Sequence, residues 1–227
     1  MPTCMKTSSK FVFALLSLVA IASSAGCESE SKPLSPEARA LVGQWRSTSY
    51  ALEFDSDGNF RGGAVDVLGQ VSIDAGGGFE VEAGLFWQMV GTAAQGGPYL
   101  LDGDRLFLEV MSRAADDPGI ETGVFGTWHV DGQVDLVVGG KKTRSPYHVK
   151  LTIERPRFGN SGNVEILRTV NGQEGSDSRS GASFRSFPDQ PDTIEVTSLE
   201  GGRTKHKLMP DGRLAREPFT RTRGLSF

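Results

Sequence analysis

Apolar and polar positions change their period along this chain, and each change marks an element. Residues 11–22 form an apolar run, broken only by Ser17, behind Lys6 and Lys10, shorter than the roughly 18 residues that cross a bilayer as a helix. Residues 28–33 are polar and read as a flexible tether. Residues 35–43 carry the marks of one short helix: Ser35 to cap it, Pro36 for its first turn, Glu37 to complement the positive end of the dipole and Gly43 to stop it. Beyond Gly43 the period becomes two. Residues 45–54 alternate and predict one strand, followed by a turn over 55–59 and a strand from Phe60. Val149, Leu151 and Ile153 share one face of their segment while Lys150, Thr152 and Glu154 share the other, as in an antiparallel strand with one face in water. Further strands are predicted over 71–74, 79–89, 105–111, 124–130, 134–138, 164–170, 193–198, 203–208 and 219–223.

The breaks between these segments favour hairpins. Asp-Gly stands at 57–58, 102–103, 131–132 and 211–212, with Asn171-Gly172 as a close relative, and glycine there can take the positive φ that a tight turn needs. Gly76-Gly77-Gly78 also reads as a turn. Residues 172–192 are rich in Ser, Gly and Asp and predict a long polar loop anchored by Phe184 and Phe187. The echo between 101–108 and 130–136 reads as repeated hairpin grammar and not as a duplication. An all-β antiparallel meander with one short N-terminal helix follows, as a single domain over 35–227.

Composition narrows the function classes. With 24 Lys and Arg against 28 Asp and Glu the net charge is −4, and no basic cluster exists to displace phosphate counterions, so no nucleic-acid partner is expected. Arg203, Lys205, His206 and Lys207 read as a solvated strand face. Catalytic signatures are missing: no Gly-x-Ser-x-Gly elbow, no HExxH and no phosphate-cradling loop before a helix. Asp55-x-Asp57-x-Asn59 has the oxygen spacing that opens a calcium loop, but Phe60 stands where such a loop needs Gly, so a turn is expected. Asp116-Asp117-Pro118-Gly119 likewise reads first as a turn. His129, His148 and His206 are expected on strands facing solvent. No catalytic residue, metal or cofactor is predicted. The large apolar side chains Phe86, Trp87, Phe107, Phe125 and Trp128 serve as core, and would line a ligand cup if a barrel were open at one end.

The leader resembles a bacterial lipoprotein signal: a basic start, a short apolar run and then Ser24-Ala25-Gly26-Cys27. That resemblance implies cleavage after residue 26, acylation of Cys27 and attachment to the bacterial envelope, with Glu28 favouring the outer over the inner membrane. Ala20-Ile21-Ala22 offers an ordinary signal peptidase a second site. Cleavage before Cys27 removes Cys4, Lys6 and Lys10 and takes the charge from −4 to −6. It leaves one lipidated cysteine and no disulfide, so the fold must stand on its core alone.

Gly43-Gln44-Trp45, at a helix–strand junction, resembles the opening of lipocalin-like (calycin) barrels, as do Phe54-x-x-Asp57-Gly58-x-Phe60 and 126–132, Gly-Thr-Trp-His-Val-Asp-Gly. The resemblance implies a barrel whose floor Trp45 closes, with Arg221 or Arg223 from the last strand over the indole. Because the strands number more than eight, an elaborated barrel and a β-sandwich both remain open. The expected function is a membrane-anchored barrel that binds a small apolar or amphiphilic ligand. The alternatives are an interaction or inhibitor module for an envelope protein, and a hydrolase if His129 or His148 meets carboxylates in a cleft.

Overall fold

The computed structural model describes residues 33–66, 68, 70–90, 93–115, 123–138, 141–170, 172–198 and 203–227. Cys27 and the leader lie outside them, as does Asp116-Asp117-Pro118-Gly119. The helix α1, Pro36–Leu41, forms as its caps require, with Ser35 Oγ accepting from the Ala38 amide at 3.1 Å. It buries Ala38 and Leu41.

Strands then follow in an antiparallel meander. The first seven are β1 (Gly43–Arg46), β2 (Tyr50–Phe54), β3 (Asn59–Val65), β4 (Val71–Glu82), β5 (Leu85–Val90), β6 (Ala93–Asp102) and β7 (Arg105–Leu108). The final strand, β16 (Phe219–Thr222), inserts between β7 and β1, and β7 pairs β6, so eight strands close a barrel. The remaining strands are β8 (Ser112–Arg113), β9 (Gly126–Val138), β10 (Lys141–Ile153), β11 (Ser161–Val170), β12 (Gln173–Phe187), β13 (Gln190–Ser198), β14 (Arg203–Leu208) and β15 (Leu214–Arg216). They coil into a second ring. β8 pairs β9, and the Met111–Leu214 bridge joins the other edge of that arm to β15. Both bridge hydrogen bonds are made, at 2.7 and 3.0 Å. One sheet therefore runs through both rings, connected where Ala94–Gly96 of β6 pairs with 133–135 of β9.

Each ring has its own core. The first is aromatic: Phe54 meets Phe79 and Phe86 edge-on, with Trp45, Phe60 and Phe219 around them. The second is mostly aliphatic, with Leu151, Ile153, Ile166, Ile194 and Val196 packed about Trp128 and Phe184. Each floor is closed in the same way. The Trp45 indole donates to Leu41 O at 2.7 Å and lies under Arg221, 4.2 Å from its guanidinium carbon. Trp128 donates to Val124 O at 3.0 Å and lies under Arg113 at 4.3 Å. Arg221 donates to Val42 O and Ala40 O, and Arg113 to Phe125 O and Gly123 O, so each cation also ties down the backbone preceding its own Gly-x-Trp. Gly43 has φ +129, and a Cβ there would stand 3.0 Å from the Arg221 guanidinium.

Several sequence expectations are corrected. The segment 45–54 is a hairpin, not one strand. So is 79–89, which turns at Ala83 and Gly84, both with positive φ. Gly76-Gly77-Gly78 lies inside β4 and makes no turn: a Cβ on Gly77 would come within 2.0 Å of Met89 O, so glycine is there for close strand approach. Asp131-Gly132 likewise lies within β9, where Tyr147 lies across the glycine. Most of 172–192 is strand, in β12 and β13, with Ala182 and Phe184 buried in the second core. His206 is buried, because Thr204 and His206 point inward while Arg203 and Lys207 point out.

Candidate functional site

The resemblance to lipocalin-like barrels placed a cup inside the barrel, and the residues proposed to line it have the following positions. Phe86 packs in the first core and Trp128 in the second, with Phe125 against it. Phe107 joins Val110 and Ala215 in a small third core between the rings. These interiors are filled by side chains. At the fork where β6 leaves β7 to pair with β9, a cavity of about 30 Å³ remains beside Phe86, Gln88, Gln95, Glu109 and Tyr147. That is room for water and no more. Burial pushes the Tyr147 phenol up to about 12, so it stays a neutral hydroxyl.

Trp87, the fifth candidate, points the other way. Phe86 faces the first core, so its neighbour takes the outer face of β5. There the sheet bends from one ring into the next, and its outer surface folds into a trough of about 790 Å³. The β4–β5 turn, with Glu82, Ala83 and Leu85, forms one wall. Gln133, Arg144, Pro146, Tyr147 and His148 from β9 and β10 form the other, with Thr169 and Gly172 at one end. Trp87 lies flat over Gly96, its cross-strand partner, where any side chain would collide with the indole. Arg144 covers the opposite face of the ring system, 4.3 Å from its centroid. The indole Nε1 is buried without a hydrogen-bond partner.

Electrostatics hold this wall in place. Arg144 Nε donates to Asp135 at 2.9 Å and its Nη1 to Glu82 at 3.3 Å, bridging the two walls. Asp135 is almost fully buried, and the Arg144 hydrogen bond, joined by Lys142 at 2.9 Å, holds its carboxyl below the usual range against desolvation. Further along, His148 Nδ1 meets Asp131 Oδ1 at 2.7 Å. His129 stacks on His148 with centroids 5.6 Å apart, its Nε2 3.7 Å from Asp131 Oδ2. Among the described residues no group of three His, Cys, Asp or Glu is arranged to hold a metal ion. The Asp55 carboxylate is already occupied by the amides of Asp57 and Asn59, as a turn requires.

Comparison with protein-family models, with curated proteins and with solved structures finds no match to this chain. Its reading therefore rests on the residues themselves. Of the structural marks read from sequence, Gly43 and Trp45 sit at the floor of the first ring and Arg221 covers the indole, while Arg223 is exposed. Arg113 over Trp128 was not anticipated, although the second Gly-x-Trp was the signal that a second arginine should exist. Arg144 and Gln133 were also missed, since no spacing brings β5 and β10 together, whereas the carboxylate expected beside His129 or His148 in the hydrolase alternative is present as Asp131.

Proposed function

We propose that the protein is an envelope-tethered binding protein that takes a small amphiphilic ligand in the trough between its rings. The observation that carries this reading is the open trough itself, with Leu85, Trp87 and Pro146 as apolar wall and Glu82, Asp131, Arg144 and His148 as polar rim. The site thus belongs to the outer face, and the packed aromatic interior serves as scaffold. Anchoring rests on the leader and Cys27: acylation there ties the protein to a bacterial membrane, the outer membrane by the Glu28 analogy.

Titration with 1-anilinonaphthalene-8-sulfonate and with lauric acid, followed by fluorescence and native mass spectrometry, tests the trough. Leu85→Glu and Arg144→Gln should each weaken binding about tenfold, the effect of one lost apolar contact or charge-assisted hydrogen bond. Unchanged binding in both variants would remove the trough from consideration. Intact-mass measurement of the mature N-terminus tests the anchor: a diacylated Cys27 is expected, and a chain beginning at residue 23 would refute it.

The His148–Asp131 contact favours a second reading, in which the pair activates water against a bound ester or amide. Turnover lost in His148→Ala with binding retained would select that reading. Binding without turnover in the unmodified protein selects the first.

A further inference from the structure

The two floors have identical anatomy, and the chain around their arginines repeats. Arg105-Leu106-Phe107-Leu108-Glu109-Val110-Met111-Ser112-Arg113 aligns without a gap on Arg213-Leu214-Ala215-Arg216-Glu217-Pro218-Phe219-Thr220-Arg221, with Arg, Leu, Glu and Arg shared and Ser112 matched by Thr220. Geometry follows the alignment. Leu106 pairs with Phe219, and Leu214 bridges to Met111. Trp45 pairs with Arg221, and Trp128 with Arg113. Each unit is thus a Gly-x-Trp strand, six further meander strands and an eighth, arginine-bearing strand. Yet β8, which follows β7 in sequence, completes the second ring, and β16, which follows β15, completes the first.

We infer that the protein is two copies of one eight-strand unit whose eighth strands are exchanged, and that the hinges enforce the exchange. Suppose β8 turned back on β7 in the register that β16 uses, Leu106 opposite Met111. The loop would then be Leu108-Glu109, and in the other unit Arg216-Glu217. Two-residue hairpin loops need positive φ at one or both positions, hence Gly, Asn or Asp. None is present, so each chain continues straight into the neighbouring ring; short hinges drive strand exchange between subunits for the same reason. Glu109 has φ +55 at its crossing point, but types I′ and II′ both need positive φ at the first loop position, which Leu108 would have to supply. The crossing is built as a junction. Phe107, Val110 and Ala215 form the third core there, and Glu109 lies 3.7 Å from Arg216 of the other arm, both nearly buried.

Cross-strand cysteine pairs in the full chain, with Cys4→Ser and Cys27→Ser, test this directly. Arg46 stands opposite Thr220, and His129 opposite Ser112. With native hinges, Arg46→Cys/Thr220→Cys and His129→Cys/Ser112→Cys should oxidise within one chain, and Arg46→Cys/Ser112→Cys should remain reduced. A disulfide between residues 46 and 112, or a disulfide-linked dimer from the 46/220 pair, would overturn the exchange. Inserting Asn-Gly after Leu108 and after Arg216 supplies type I′ loops while keeping Leu106 opposite Met111. In that variant the disulfide should move to the 46/112 pair. Retention of the 46/220 disulfide alone would overturn the role of the hinges, and the 129/112 pair against the 129/220 pair gives an independent readout in the second ring.

Discussion

The two rings share a closure and differ in filling. Positions that hold Phe54, Phe60 and Phe86 in the first ring correspond by register to Ile153, Val164 and Ile194 in the second, while Phe79 corresponds to Phe184. Three aromatic rings have become aliphatic side chains, yet each indole still donates to the carbonyl four residues before it and still lies under a guanidinium. The difference separates what defines the ring from what fills it. Closure needs particular groups: a glycine at positive φ, an indole donor and a planar cation. Filling needs apolar volume that packs without voids, which several combinations satisfy.

The comparison can be broken most severely at the indoles. Trp45→Ala and Trp128→Ala should each cost about 3–5 kcal/mol, from lost burial and the cavity left behind. Equilibrium denaturation in urea measures both, and the exchanged strands predict one shared transition in each variant. Two transitions would mean that the rings unfold separately. A second, smaller break is confined to the second ring. Burial, aided by nearby Arg216, pushes His206 down to about 4 from its ordinary 6.5. Between those values the unfolded chain holds a proton that the folded chain does not. Stability is therefore complete above pH 6.5 and drains as pH falls to about 4, by about 3 kcal/mol in all. His206→Gln should flatten that slope; an unchanged slope would assign acid sensitivity elsewhere.

Smaller effects sharpen the likeness. Arg221→Lys and Arg113→Lys should each cost about 1–2 kcal/mol, since lysine keeps the charge but loses the planar stack and the paired carbonyl bonds. Thermal denaturation should place the two within about 0.5 kcal/mol of each other. A large inequality would show that the floors are alike only in shape. Ser35→Ala, which removes the cap of the helix at the floor of the first ring alone, should cost about 1 kcal/mol. Hydrogen exchange should show the largest loss of protection at α1.

Much of the local structure was legible because it depends on short-range physics. Ser35-Pro36-Glu37 announces α1, the alternation at 149–153 marks β10, and Asp-Gly at 57–58, 102–103 and 211–212 makes turns with positive φ at the glycine. The misreadings share one cause. Gly76–Gly78 and Asp131-Gly132 look like turns, but their glycines answer to a neighbouring strand or a tyrosine ring that arrives from elsewhere in the chain. The polar stretch after Gly172 becomes strand because it has β11 and β13 to pair with. The trough was illegible for the same reason. Trp87 and Arg144 lie far apart in sequence, and their contact exists only because β6 and β9 join.

By itself the sequence determined an all-β meander, the helix and its cap, and the Gly43-x-Trp45 floor, and it narrowed the closing cation to Arg221 or Arg223. Each depends on backbone preference or on side-chain spacing within one or two strands. Only the tertiary structure decided that the strands close two rings, that the eighth strands cross between them, and that a trough opens on the outer face where they meet. Those outcomes turn on which edge a strand finds. Two nearly equivalent edges were on offer, and hinge geometry, with the packing that follows, chose between them.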